Sequence, residues 1–307
     1  MRLDGIHHIT CITENGPANV DFYVRTMGLR LVKKTINFDV PNAYHLYYGS
    51  EFGTPGSILT FFEYPDIGRG RAGAGMIHRI GWRVSGEAAL DFWDRRLTSR
   101  DITTERHDDG LRFEDPEGLG LELVIDKSGE KELDAETDDI SPENRLGGFE
   151  GVRAYTKNPE TSEELFLKTL GFEPQDQNSY RIAGDARSST YSLDPRDEDG
   201  FQGAGTVHHI AWASAPEDHL EWRKRVVESD TDVTEVIDRK YFRSIYFNEP
   251  SGVLFEIATT EPGFSVDEPP DRLGDKISLP NWHEHRRSQL EKDLTPILNP
   301  RYEKSEQ

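Results

Sequence analysis

The sequence predicts an α+β fold of four βαβββ units followed by a C-terminal helical tail. Three observations carry this. A strand-like start recurs at Gly5–Thr10 (GIHHIT), Met76–Trp82 (MIHRIGW), Gly151–Thr156 (GVRAYT) and Thr206–Trp212 (TVHHIAW), at intervals of 55 to 75 residues. A helix-like segment and then strand-like segments follow each start. Two units also end alike, since Pro116–Glu122 (PEGLGLE) aligns with Pro250–Glu256 (PSGVLFE) without a gap. The units span roughly 4–75, 76–146, 147–205 and 206–262, and residues 263–307 form the tail.

In the first unit, Ala18 to Met27 places Val20, Tyr23, Val24 and Met27 on one helical face, with Gly28 at the C-cap. Leu29–Ile36, Ala43–Tyr48 and Ser57–Tyr64 follow, rich in β-branched and aromatic residues as strands are. In the second unit Ala88 to Leu97 is the helix, and Pro-x-Gly makes the turn before the strand carrying Glu122. The third unit repeats a helix end, Thr169-Leu170-Gly171-Phe172 against Thr26-Met27-Gly28-Leu29. In the fourth, Glu217 to Val227 is helical. The acidic stretch Asp134 to Arg145 reads as the linker between two halves, 1–146 and 147–262. In the tail a helix from about Trp282 to Leu294 is expected, packed through Trp282, Leu290 and Ile297.

The 307 residues suffice for a sizeable core, and no run approaches the ~18 apolar residues of a membrane span. The N-terminus enters a strand pattern without an apolar signal region, so a cytoplasmic chain is expected. The lone Cys11 excludes an intramolecular disulfide framework and multi-cysteine metal sites. A formal charge of −21 argues against nucleic acid, which needs clustered Lys and Arg. The acidic residues are dispersed, as expected for a solubility role and for a salt-loving source.

The repeats allow comparison within one chain. At the second histidine of the unit start the copies carry His8, Arg79, Ala154 and His209. At the last-strand Glu position they carry Thr60, Glu122 and Glu256 in units one, two and four, with no clear match in unit three. Units one and four therefore hold His8, His209 and Glu256. Two imidazoles and one carboxylate make a facial site with open positions, as used for non-haem Fe(II) oxygen chemistry. Unit one is expected to pair with unit four around a metal, with units two and three as a metal-free scaffold. Strict strand alternation would point His7 and His208 away from the metal, for core packing or, as catalytic candidates, for orienting or proton-relaying near the substrate. His78 is expected to be structural, His45 to be core or pocket wall, and His107, His219, His283 and His285 to be solvated.

This pattern resembles the vicinal-oxygen-chelate superfamily of glyoxalases and extradiol dioxygenases. The closer likeness is to hydroquinone-type ring-cleaving dioxygenases, on Gly5–Thr10, Gly28–Lys34, Tyr44–Tyr48, Gly53–Gly56, Val207–His209, Asp238–Phe247 and Gly252–Glu256. The resemblance implies two modules with cupped mixed sheets. It further implies Fe(II), or Mn(II), on His8, His209 and Glu256. His7 and His208 would lie near the site, Tyr246 would bond the substrate and Arg239 would line the pocket. The partners implied are a small aromatic substrate and O2, and a homo-oligomer is compatible. A glyoxalase- or isomerase-type enzyme is the main rival. Such enzymes use a second Glu as fourth ligand, where this chain has Thr60. A non-catalytic aromatic-binding resistance protein is the other.

Overall fold

The computed structural model describes residues 1–176 and 178–302. Unit one supplies strands β1 (Ile6–Thr13), β2 (Arg30–Ile36), β3 (Tyr44–Gly49) and β4 (Ile58–Glu63). Unit two supplies β5 (Met76–Val84), β6 (Glu105–His107), β7 (Gly110–Glu114) and β8 (Gly120–Ile125). Unit three supplies β9 (Phe149–Thr156), β10 (Glu173–Pro174), β11 (Ser179–Ala183) and β12 (Ser188–Pro195). Unit four supplies β13 (Val207–Ser214), β14 (Ile237–Asp238), β15 (Arg243–Asn248) and β16 (Leu254–Thr259). They form two eight-stranded mixed sheets, ordered β14-β15-β16-β13-β1-β4-β3-β2 and β10-β11-β12-β9-β5-β8-β7-β6. Unit one thus pairs with unit four and unit two with unit three, so each sheet takes one unit from each half of the chain.

The joint in each sheet is an antiparallel pair, β1 with β13 and β5 with β9. In the first, Ile9 faces Ile210, with His8 opposite Ala211 and Thr10 opposite His209 on either side. The register skips His7 on β1 and His208 on β13. Each is the extra residue of a β-bulge, which bends the strand and re-aims a side chain. In the second sheet Ile80 faces Val152, and the skipped residues are His78 and Glu150.

This register corrects the repeat alignment. Val152 stands where Ile210 stands, so the residue in the place of His209 is Gly151, three positions before Ala154. The parallel partner of Val152 is Tyr191, which puts Ser192 at the Glu256 position of unit three. Only glycine fits at 151, because a Cβ there would stand 2.2 Å from the Thr190 carbonyl oxygen. Unit three still offers no ligand, but for a different residue than the sequence comparison named.

The first helix is short. Helix α1 (Gly16–Val20) continues as a wider π turn, Asp21–Thr26, and unit three repeats this with Leu165–Leu170 before left-handed Gly171. Helices α2 (Glu87–Thr98) and α3 (His219–Glu228) lie where apolar spacing placed them. Trp82, Trp93, Trp212 and Trp222 are fully buried in the shared core. His219, expected in solvent, is buried at the start of α3, beside Ser214 at 3.3 Å. His107 contacts Glu122 at 2.7 Å rather than water alone. In the tail, Asn281–Arg286 is 3-10 and only α4 (Arg287–Asp293) is α-helical. Leu290 and Ile297 are buried as expected, but Trp282 is 54% exposed and meets only the edge of Phe38 and His283. Polar groups fasten the tail as well. Lys33, fully buried, bonds the Phe264 carbonyl, Asp267 and Glu268, and Lys34 donates to the Ile297 carbonyl at 2.6 Å. Among the described residues no helix is long and apolar enough to cross a membrane.

In the second sheet His78 stacks on Tyr155 at 3.7 Å and bonds Asp194 at 2.7 Å, while Arg153 Nε donates to the same carboxylate at 2.8 Å. Burial opposes the Asp194 charge, but the bonds from His78 and Arg153 outweigh it and hold the carboxyl well below its ordinary range. A depressed folded value means stability present above the unfolded value of about 3.9 and lost as pH falls below it. Asp194→Asn is expected to cost on the order of 1 kcal/mol at neutral pH, with the deficit shrinking in acid. Chemical denaturation of both proteins at about pH 7, 3.5 and 2.5 checks this; a deficit that does not shrink by about pH 2.5 would remove the ionised carboxylate as the cause.

Candidate metal centre

Three side chains converge at the centre of the first sheet. His8 lies on β1, His209 on β13 and Glu256 on β16, and all three are buried. Glu256 Oε2 is 3.2 Å from His8 Nε2 and 2.9 Å from His209 Nε2, and the two Nε2 atoms are 3.3 Å apart. Among the described residues this is the one group of three whose ligand atoms all lie within 4.8 Å of one another.

The hydrogen bonds around His8 determine what those atoms carry. His7 Nε2 is 3.1 Å from the Thr259 carbonyl, which only accepts, so Nε2 holds a proton. Burial, then the neighbouring His8, pushes the His7 pKa down to about 3, so the ring is neutral and its Nδ1 is bare. That Nδ1 lies 2.9 Å from His8 Nδ1 and must accept from it. His8 Nδ1 therefore holds a proton, and Nε2, the ring nitrogen nearest Glu256, is the atom through which His8 would ligate a metal. On the other side His208 and His209 repeat the Nδ1 to Nδ1 contact at 2.8 Å. Burial, then His209, lowers His208 to about 4. The bulges at 7 and 208 make these contacts. Strict alternation alone does not set these contacts; the bulges bring each ring against its neighbouring imidazole, the orienting place left open by the sequence.

Glu256 is fully buried, and its Oε2 has no hydrogen-bond donor. Its other oxygen, Oε1, accepts from Ser244. A carboxylate oxygen without a hydrogen-bond donor and two imidazole nitrogens stand close enough together to share one cation. The donor set therefore fits a divalent metal with nitrogen and oxygen ligands.

On the fourth side stands Thr60, on β4 opposite Thr10. It donates to Thr10 Oγ1 at 2.9 Å and so accepts from His45 Nε2 at 2.8 Å; His45 Nδ1 in turn accepts from the Tyr47 hydroxyl at 2.8 Å. Tyr47 pairs with Thr60 as Tyr246 pairs with Glu256. His45, open between core and pocket wall in the sequence, is pocket wall, with its ring 4.1 Å from Tyr47 and 4.3 Å from Phe62.

Above the three ligands opens a cavity of about 400 Å³, with Phe38, Phe62 and Phe242 among its walls. Arg239 and Tyr246 both line it. Arg239 Nε donates to the Tyr246 hydroxyl at 3.0 Å, and Nη1 reaches Asp39 at 2.9 Å. Burial, then the Glu256 charge, drives the Tyr246 pKa up, so the phenol keeps its proton as a donor. A larger groove of about 790 Å³ lies on the second sheet, lined by Arg79, Arg112 and Arg196. It lacks a convergent ligand trio, so the smaller cavity is the one matched to chemistry.

His8, His209 and Glu256 therefore come together, with His7, His208, Arg239 and Tyr246 around them. Sequence comparison missed Ser244, Asp39, Thr10 and the Thr259 carbonyl. Ser244 was within reach, since it lies two residues before Tyr246 on the same strand face. Asp39 sits in a loop 200 residues from its partner Arg239, and no local pattern marks it. The His7 contacts predict a measurable effect. His7→Ala is expected to lower divalent-metal affinity by roughly 10- to 100-fold, as loss of an orienting partner does, measured by chelator competition. Unchanged affinity would contradict the proton assignment.

Residues 5–123 and 148–257 match the model of the Glyoxalase/Bleomycin resistance protein/Dioxygenase superfamily. The chain is 40% identical over 95% of its length to MhqO of Bacillus subtilis (strain 168), provisionally named a ring-cleaving dioxygenase, of which 96% is covered. It is 33% identical over 91% of its length to the chlorohydroquinone/hydroquinone 1,2-dioxygenase of Sphingobium indicum, of which 92% is covered. A crystal structure of a Bacillus subtilis protein, provisionally named a dioxygenase, superposes with a TM-score of 0.89 at 37% identity, covering 96% of this chain and 98% of that one. Glyoxalase I from Zea mays shares the fold alone, with a TM-score of 0.59 at 12% identity, covering 83% of this chain and 92% of that one. The chain belongs to the Glyoxalase/Bleomycin resistance protein/Dioxygenase superfamily.

Proposed function

We propose that this protein is a metal-dependent dioxygenase that opens hydroquinone-type aromatic rings with O2. The observation that carries the reading is a three-ligand site whose fourth side is a neutral threonine, below an aromatic-walled cavity. The relatives named as ring-cleaving and hydroquinone dioxygenases support it. His8, His209 and Glu256 would hold Fe(II), with Mn(II) as the alternative. The bound metal would supply Lewis acidity that lowers the pKa of a ring hydroxyl, and a redox centre for oxygen.

The chain's own residues do the rest. Phe38, Phe62 and Phe242 exclude water and hold a flat ring. Tyr246, its hydroxyl oxygen engaged by Arg239, keeps a proton to donate to a substrate oxygen. Its ring packs edge-on against His209 with centroids 5.8 Å apart, which places that donor beside the ligands. His208 lines the cavity with its Nδ1 engaged by His209, which leaves Nε2 to exchange a proton with substrate. His7 is sealed behind His8 against Thr259 and Phe242, so it orients rather than touches. Arg239 sets the direction of the Tyr246 hydroxyl.

Three experiments test this. His8→Ala and Glu256→Ala are expected to lose bound metal and at least about 100-fold of oxygen uptake with methylhydroquinone; turnover and metal content like the parent's would sink the ligand assignment. An isomerase of the same fold would instead turn over glutathione hemithioacetal with Ni(II) or Zn(II), and a resistance protein would bind an aromatic without consuming O2. Thr60→Glu is expected to depress oxygen uptake by filling the fourth side with a carboxylate. Undiminished uptake would show that this side need not stay neutral.

A further inference from the structure

We propose that Asp39 is a specificity-determining residue: by matching the charge of Arg239, it makes the cavity select uncharged hydroquinone rings over rings bearing a carboxylate. This rests on the ring-cleavage reading and names the substrate class within it.

Arg239 is the only lysine or arginine among the described residues lining the cavity, and Asp39 is the only aspartate or glutamate. They meet at 2.9 Å across 200 residues of chain, and the Arg239 side chain is only 20% exposed. An arginine over an aromatic-walled cavity is ordinarily a carboxylate receptor, because its planar fork bonds two oxygens at once. Here one arm of the fork is taken by Tyr246 through Nε and another by Asp39 through Nη1. A carboxylate entering on the substrate would shed its hydration and find the one cationic side chain of the cavity wall already matched.

The placement of Asp39 is built. Its loop follows β2, and Asn37 Oδ1 accepts from the Asp39 backbone N–H at 2.9 Å, while Asn37 Nδ2 donates to the Tyr64 hydroxyl at 2.8 Å. The loop is thereby pinned to a cavity-lining tyrosine, with the carboxylate turned toward Arg239. The Asp39 side chain is itself 70% exposed. An ion pair so exposed at one end contributes little to folding. Its effect falls on what Arg239 can still bind.

The test is the binding of methylhydroquinone and 2,5-dihydroxybenzoate to the metal-loaded full-length protein, by anaerobic calorimetry. The parent is expected to bind methylhydroquinone at least about tenfold more tightly. Asp39→Asn keeps an acceptor for Arg239 but removes the charge, and is expected to narrow that ratio by about tenfold, the scale of one charge-assisted hydrogen bond. In the double variant Asp39→Asn/Arg239→Gln the narrowing should vanish. An unchanged ratio in Asp39→Asn overturns the proposal. So do equal narrowing in the double variant, a parent that does not discriminate, and a parent that binds neither ring. Oxygen uptake with methylhydroquinone is read separately. Binding preference without uptake would count against ring cleavage while leaving the role of Asp39 standing.

Discussion

The antiparallel pairing of β1 with β13 is the constraint from which the site follows. It sets Ile9 against Ile210 and so brings His8 and His209, 201 residues apart, to within 3.3 Å. A one-residue slip would send one imidazole to the opposite face. The same pairing carries a bulge on each strand, and the bulged residues are His7 and His208. One local irregularity, used twice about a pseudo-twofold, therefore places both ligands and both imidazoles behind them. The parallel strand β16 then needs only its own register, Ala211 beside Glu256, to bring the carboxylate in.

What the pairing positions, hydrogen bonding finishes. The Thr259 carbonyl can only accept, and this single fact passes through His7 to fix the proton of His8. The opposite wall is settled the same way, from Tyr47 through His45 and Thr60 to Thr10, without a formal charge. One side of the site is thus strongly basic and the other neutral. That asymmetry would be absent if Thr60 were a second carboxylate.

Much of this was legible because the chain contains its own comparison. Internal repeats picked out the three side chains that converge and predicted which units pair, since only units one and four keep an imidazole at the second histidine position. Periodicity also found α2 and α3. Reading failed where geometry departs from periodicity. Bulges break the two-residue alternation, so His7 and His208 were expected to point away. The third unit was aligned on Gly151 as a strand start, whereas hydrogen bonding makes Gly151 itself the equivalent of His209. His219 carries no apolar signal, yet burial claims it, and Trp282 carries a strong one yet stays half in water. The Asp39–Arg239 pair is a property of the closed fold, with no signature in either segment.

The second sheet tests what the frame alone can do. It keeps the joint, both bulges and a buried carboxylate at the same register, Glu122. Around it stand Arg112 at 2.9 Å and His107 at 2.7 Å, while the place of His8 is taken by Arg79 and that of His209 by Gly151. A buried carboxylate must find positive charge or donors, and in this copy the protein provides them from its own arginine. Glu256 is buried more completely, and its Oε2 faces the two imidazole Nε2 atoms without accepting a hydrogen bond. Among the described residues no lysine or arginine bonds to it. The positive charge that Glu122 obtains from an arginine, a bound cation would supply to Glu256. The difference between the two sheets, more than the resemblance of either to known proteins, is the physical case for a metal between His8, His209 and Glu256.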